Sequence, residues 1–110
     1  MSKGFGGLGN LGDMMKGAQK MQKEMARIQE ELKTRIVEGD AGGGMVRVQV
    51  NGAQEIVAVK IDKSVVNPED TEMLEDLIIA AVREGMRKSQ EMSKSAMGKL
   101  TGGLNIPGLF

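Results

Sequence analysis

Residues 38–62 read EGDAGGGMVRVQVNGAQEIVAVKID, and the fold turns on how this stretch divides. Val46, Val48 and Val50 alternate with Arg47 and Gln49, the period-two pattern of a strand with one apolar face, and Val57, Val59 and Ile61 form a matching row. Asn51-Gly52 between the rows signals a hairpin. A loop of two residues or of four puts both rows on the same face of the sheet. Thr34–Asp40 reads as a further strand, so the expected strands are 34–40, 45–51 and 54–62 of an antiparallel meander. Three consecutive glycines can also cradle a phosphate, but such a loop feeds a helix and keeps a Lys at hand. Gly42-Gly43-Gly44 follows Asp40, feeds a strand and has no Lys beside it, so it reads as a turn.

Upstream of the strands, Met14, Ala18, Met21, Met25, Ile28 and Leu32 recur at alternating spacings of four and three, the a/d repeat of a coiled-coil seam. This predicts a helix over 13–36, N-capped by Asp13, with a seam that wants a partner helix. Downstream, Asn67-Pro68-Glu69-Asp70 predicts a helix start with Asn67 as cap, Pro68 at the first helical position and acids at the positive end of the dipole. That helix runs over 68–97 with Leu74, Leu77, Ile78, Ala81 and Val82 facing the sheet. Ala81, Gly85, Ser89 and Ser93 form a row of small residues at spacing four, in which Gly85 marks either the close approach of another helix or a tolerated surface position. Residues 1–12 and 100–110 are glycine-rich and lack periodicity, so they are expected as flexible tails of one domain spanning 1–110. Both carry apolar groups: Phe5, Leu8 and Leu11 in one, Leu104, Ile106, Leu109 and Phe110 in the other.

The expected fold is α+β, an α-β-β-β-α protomer. Helices over 13–36 and 68–97 are ~36 and ~45 Å long, whereas a seven-residue strand covers about 23 Å, so two long helices protrude from the sheet as arms. The first helix enters the sheet and the second leaves it, so the protruding ends are the start of one and the end of the other. Formal net charge is zero, but it is segregated. Residues 1–36 carry seven basic and four acidic groups, 68–82 none and five, and 83–99 five and two. The arms are therefore expected to be cationic and the sheet end acidic. In the heptad of the first helix, Lys16 and Lys23 fall at f and Lys20 and Arg27 at c, one stripe facing away from the seam. Arg87, Lys88 and Lys94 are the matching cations of the second helix, interrupted by Glu84 and Glu91. The same charges also read as a solvated face laced with pairs such as Lys20 with Glu24.

Composition narrows the function classes. No Cys and no His are present, which removes thiol and imidazole chemistry and disulfides and suits a reducing cytoplasm. Asp40, Asp62, Asp70 and Asp76 stand without a nucleophile or cofactor loop and read as turn, strand-end and helix-start residues, so no enzyme, cofactor or small-molecule substrate is expected. The longest apolar run, 77–82, is far short of the ~20 residues of a membrane span. Phe5 and Phe110 are the only aromatics. Stacking on single-stranded bases therefore has no platform in the expected helices and strands, and duplex is the better nucleic-acid partner. Gln19, Gln22 and Gln29 serve either as base readers or as ordinary helix filler.

The ordered pattern VRVQVNGAQEIVAVKID (46–62) and MLEDLIIAAVREG (73–85), with the first helix MMKGAQKMQKEMARIQEEL (14–32) and the closing GLNIPGLF (103–110), resembles the YbaB/EbfC family of bacterial nucleoid-associated proteins. The resemblance implies a homodimer with tweezer-like helical arms, binding to double-stranded DNA in the cytoplasmic nucleoid, and no catalytic activity. By location it implies DNA-binding roles for Lys16, Lys20, Lys23, Arg27, Arg87, Lys88 and Lys94. The alternative is a protein-protein interaction scaffold that uses its coiled-coil arms and apolar tails.

Overall fold

The computed structural model describes the backbone of residues 2–101 and the side chains of 11–100. The alternating valines form β2 (Val46–Asn51), flanked by β1 (Ile36–Ala41) and β3 (Ile56–Ile61) in an antiparallel sheet of order β1-β2-β3. α1 (Ser2–Thr34) precedes the sheet, and α2 (Thr71–Thr101) follows it after a 3-10 turn at Lys63–Val65. The α-β-β-β-α order is the expected one. Asp62 opens the 3-10 turn, its Oδ1 accepting from Ser64 N at 2.8 Å, and that bond holds the carboxyl below the usual range. No helix among the described residues is long and apolar enough to cross a membrane.

Gly42, Gly43 and Gly44 make the β1–β2 turn with φ of +63°, +68° and +90°, a backbone that side-chain-bearing residues rarely adopt. Val46, Val48 and Val50 point from β2 to one face and are completely buried, each contributing about 1.5–3 kcal/mol of apolar burial. Val37, Gly39 and Ala41 of β1 lie in register with them. α2 covers this half of the sheet with Leu74, Leu77, Ile78 and Val82 half-buried and Ala81 and Ser89 fully buried. The small row is thus the sheet contact. A Cβ on Gly39 would overlap Ala81 O and Gly85 N, and one on Gly85 would lie 2.8 Å from Val50 Cγ2. Gly85 therefore marks the close approach of a strand, neither of another helix nor of solvent.

β3 departs from the expected row. Val48 pairs with Val59 and Val46 with Ile61, but the register shifts at Gln49/Val50, so Val50 faces Ile56 instead of Val57. A four-residue loop causes the shift. Asn51 Oδ1 accepts from Ala53 N and Glu55 N, both at 3.0 Å, while its Nδ2 donates to Glu55 Oε1 at 2.9 Å. Gln54, at φ 64°, takes the left-handed conformation that a two-residue Asn-Gly turn would have required of Asn51 and Gly52. α2 does not extend over β3, so the shared face is core only on its β1–β2 half. Ile56, Val57, Val59 and Ile61 stay 47, 50, 46 and 38 % exposed.

Two helix starts also differ. Asp70, not Asn67, caps α2: its Oδ1 accepts from Met73 N at 3.2 Å. Asn67 instead folds the preceding turn, its Oδ1 accepting from Glu69 N at 3.0 Å and its carbonyl from Asp70 N at 2.9 Å. α1 begins at Ser2 rather than Asp13. The intervening glycines weaken a helix, but the segment contains no proline to remove a backbone donor, and propagation from a formed helix is far easier than nucleation.

Both helices meet the sheet at one corner. Gly52 N donates to Leu32 O at 2.7 Å and Arg35 O at 3.1 Å, closing the C-terminus of α1, and Ser89 Oγ donates to Asn51 O at 2.6 Å. The residues of α1 before this corner and those of α2 after it line a common groove of ≈ 720 Å³, with Glu24, Ile28 and Leu32 on one wall and Met92, Ala96 and Leu100 on the other. The two helices thus leave the sheet together, antiparallel, and the molecule measures 81 × 25 × 18 Å.

Candidate nucleic-acid interface

α1 has 33 residues and α2 31, about 50 and 46 Å, against six-residue strands of about 20 Å. The arms carry the basic residues, and their burial is graded. On the seam of α1, Leu32 and Ile28 are 3 and 9 % exposed, Met25 and Met21 half-buried, and Met14 69 % exposed. The stripe facing away from the seam is the cationic one.

Lys16, Lys20 and Lys23 are exposed and form no ion pair among the described residues. They lie within about 10 Å of helix axis. Arg27, in the same stripe, is engaged: its guanidinium donates to Glu24 Oε2 at 2.8 Å and to Glu31 Oε1 at 2.6 Å. The Glu24 hydrogen bond, followed by the charges of Glu24 and Glu31, pushes its pKa above the ordinary value. Glu24 therefore pairs with Arg27 and not with Lys20. The solvated-face reading describes the inner part of the stripe, while Lys16, Lys20 and Lys23 are left with their charge free.

On α2 the three expected cations separate. Arg87 pairs with Glu91 at 3.0 Å on an exposed face. Lys88 is half-buried, donating to Glu84 Oε1 at 3.1 Å and to Glu38 O on β1 at 2.8 Å, so it ties α2 to the sheet. Lys94 is exposed and unpaired among the described residues. Arg35 and Lys99, absent from the expected set, line the groove between the arms with Arg27 and have no ion pair among the described residues. Nothing local marks them, because the groove exists only once α1 and α2 cross at the Asn51–Gly52 corner.

The Glu84–Lys88 pair has a pH signature. The hydrogen bond from Lys88 lowers the Glu84 pKa below 4.5, partial burial opposing it. A depressed folded-state acid contributes stability that is present above its unfolded value and lost as pH falls through the folded one. Below about pH 4.5, wild type is expected to lose stability more steeply than Glu84→Gln, a small difference for so exposed a pair, measured by urea unfolding across that range.

An open sheet that anchors two helices at one corner and sends both out to cationic ends defines an α+β protein built to reach with its arms. A model of the YbaB/EbfC DNA-binding family matches residues 7–104. A nucleoid-associated protein of Syntrophobacter fumaroxidans is 57 % identical over 109 residues, 99 % of this chain and 93 % of that protein. One of Alkaliphilus metalliredigens is 53 % identical over 111 residues, 98 % and 97 % of the two chains. The crystal structure of an uncharacterized protein of Helicobacter pylori superposes with a TM-score of 0.70 at 33 % identity, covering 84 % of this chain and 94 % of the other. On fold, sequence and extent of match, the chain belongs to the YbaB/EbfC DNA-binding family.

Proposed function

We propose that the chain is a non-catalytic, nucleoid-associated protein that binds duplex DNA as a homodimer through its cationic arms, largely without regard to base sequence. The observation that carries this reading is the Lys16-Lys20-Lys23 stripe, three exposed ammonium groups without acidic partners among the described residues. Such groups neutralise backbone phosphates and release counterions, an interaction blind to base identity. Lys94 adds to it from α2. Arg27 and Arg87 join once DNA phosphates displace their Glu partners, and Lys88 acts mainly by holding α2 to the sheet. The names of the bacterial relatives support the nucleoid as the site of action. Mobility of a duplex across a salt series tests the proposal: log affinity is expected to fall with log salt by about 0.9 for each phosphate neutralised. No retardation, or a flat salt profile, overturns it.

The homodimer rests on β3. This edge strand leaves Val59 and Ile61 bare on the same face as buried Val48 and Val46, and a second copy gives that face a partner. Val59→Asp would bury a charge at such an interface and is expected to weaken association by at least ~100-fold, read as a halved mass in solution at micromolar concentration.

A scaffold reading draws on a different observation, the exposed Leu11 and Met14 of the seam. It predicts that the lysine stripe is dispensable, whereas the DNA reading makes it essential.

A further inference from the structure

The Asn51-Gly52 pair forms a corner rather than a two-residue turn, and the dipeptide carries a chemistry that the corner does not use. An asparagine followed by glycine loses its side-chain amide without any catalyst. The Gly52 nitrogen attacks Asn51 Cγ, the Cγ–Nδ2 bond breaks, and the Gly52 N–H proton leaves with Nδ2 as ammonia. Water then opens the five-membered imide. Breaking the new bond between Gly52 N and Cγ gives aspartate, and breaking the bond from that nitrogen to the Asn51 main-chain carbonyl carbon gives isoaspartate. Glycine is the least hindered successor, having no Cβ.

In the closed corner each participant is held away from this reaction. The Gly52 N–H is donated to Leu32 O at 2.7 Å and to Arg35 O at 3.1 Å. The Asn51 side chain is fixed within its own loop, Oδ1 accepting from Ala53 N and Glu55 N and Nδ2 donating to Glu55 Oε1. Both residues are buried, Asn51 at 4 % exposure. The end of α1 rests directly on the Gly52 peptide, where a Cβ would lie 2.7 Å from Leu32 Cδ2 and from Leu32 O. Rotating the Asn51 side chain onto Gly52 N therefore requires these bonds to part and Leu32 to withdraw.

We infer that Asn51 is a latent deamidation site, shielded by the closed corner and released each time the ends of the helices come away from it. The product does not restore the corner. A carboxylate at position 51 has no donor for Glu55 Oε1 and places a second negative charge beside it. The isoaspartate form also inserts a methylene into the main chain between Asn51 N, bonded to Glu55 O, and Gly52 N, bonded to Leu32 O. A transient opening is thereby made permanent, and the modified fraction records how often the corner has opened.

Peptide mapping of the full-length protein in mildly alkaline buffer tests this, reading at Asn51 the mass gain that marks exchange of NH2 for OH. Folded wild type is expected to deamidate about 100-fold more slowly than the same chain unfolded in guanidinium chloride, because only the locally opened fraction reacts. Ser89→Ala removes the hydroxyl that α2 donates to Asn51 O and should raise the folded rate about tenfold. Val46→Ala weakens the core at the other end of β2 and should leave that rate within about twofold, since the corner opens without unfolding the sheet. Asn51→Asp, equivalent to the aspartate product, is expected to lower the urea midpoint. Equal rates in folded and unfolded chains overturn the inference, and so does a Ser89→Ala rate no higher than that of Val46→Ala. An Asn51→Asp variant as stable as wild type also overturns it. None of these readouts involves DNA, so the outcome is independent of the DNA-binding proposal.

Discussion

Lys16→Glu, Lys20→Glu and Lys23→Glu combined will abolish duplex binding at moderate salt while leaving the protein folded. These side chains are exposed and unpaired among the described residues, so reversing them breaks no internal contact. Each lost phosphate contact lowers the log–log salt slope by about 0.9, so three remove about 2.7 from it, and three introduced carboxylates repel the backbone. The expected loss of affinity is at least ~100-fold, measured by electrophoretic mobility at several salt concentrations. Lys88→Gln is the contrasting variant. It removes the bond to Glu38 O and leaves Glu84 without its partner, so it is expected to lower the urea midpoint and to change the salt slope by less than about one. Equal effects of the two variants on the slope would count against the assignment of roles. Wild-type activity in the triple variant would favour the scaffold reading.

Gly39→Ala will be the most destabilising single change in the sheet. Its methyl group has no room, because the backbone of α2 at Ala81 and Gly85 already occupies that volume, and neither neighbour is the movable end of a side chain. Relief requires lifting α2 from β1, which also opens the packing over Val48 and Val50. A loss of about 3 kcal/mol or more is expected, a large part of the 5–15 kcal/mol available to a domain of this kind. Gly17→Ala has the opposite sign: a Cβ there meets nothing within 4 Å, and replacing a mid-helix glycine stabilises by up to about 1 kcal/mol. Urea unfolding of the two variants reads both effects.

The strands were legible because burial and alternation carry the same information: Val46, Val48 and Val50 are apolar for the reason that they are covered. The hairpin between them was legible in position but not in form. Asn51-Gly52 satisfies a short-turn rule, yet Gly52 N is taken by Leu32 O and Arg35 O, and the turn chemistry passes to Gln54. The cap of α2 was read at Asn67, but Asp70, three residues on, has the same capping chemistry and takes the role in the fold. Gly85 was read as the close approach of another helix or as a tolerated surface position, and the neighbour is a strand, since helix and strand make the same demand on a missing Cβ. For the cations, sequence spacing established the stripe but not which members were already neutralised. Glu24 is equally well placed for Lys20 and for Arg27, and only the folded rotamers award it to Arg27. Arg35 and Lys99 depend on a crossing of two helices that no local pattern encodes.

The corner at Asn51 and Gly52 makes the hairpin a fulcrum. Through Gly52 it grips the end of α1, and through the Asn51 carbonyl it grips Ser89 of α2. Leu11 stands about 32 Å from that grip, so a tilt of about 5° at the root sweeps the tip through roughly 3 Å. The direction of the arms then depends on the loop from Gly52 to Glu55, far along α1 from Lys16, Lys20 and Lys23. Under the proposed DNA-binding role, a change in that loop is expected to retune which spacing of phosphates the arms reach, with Lys16, Lys20 and Lys23 left in place.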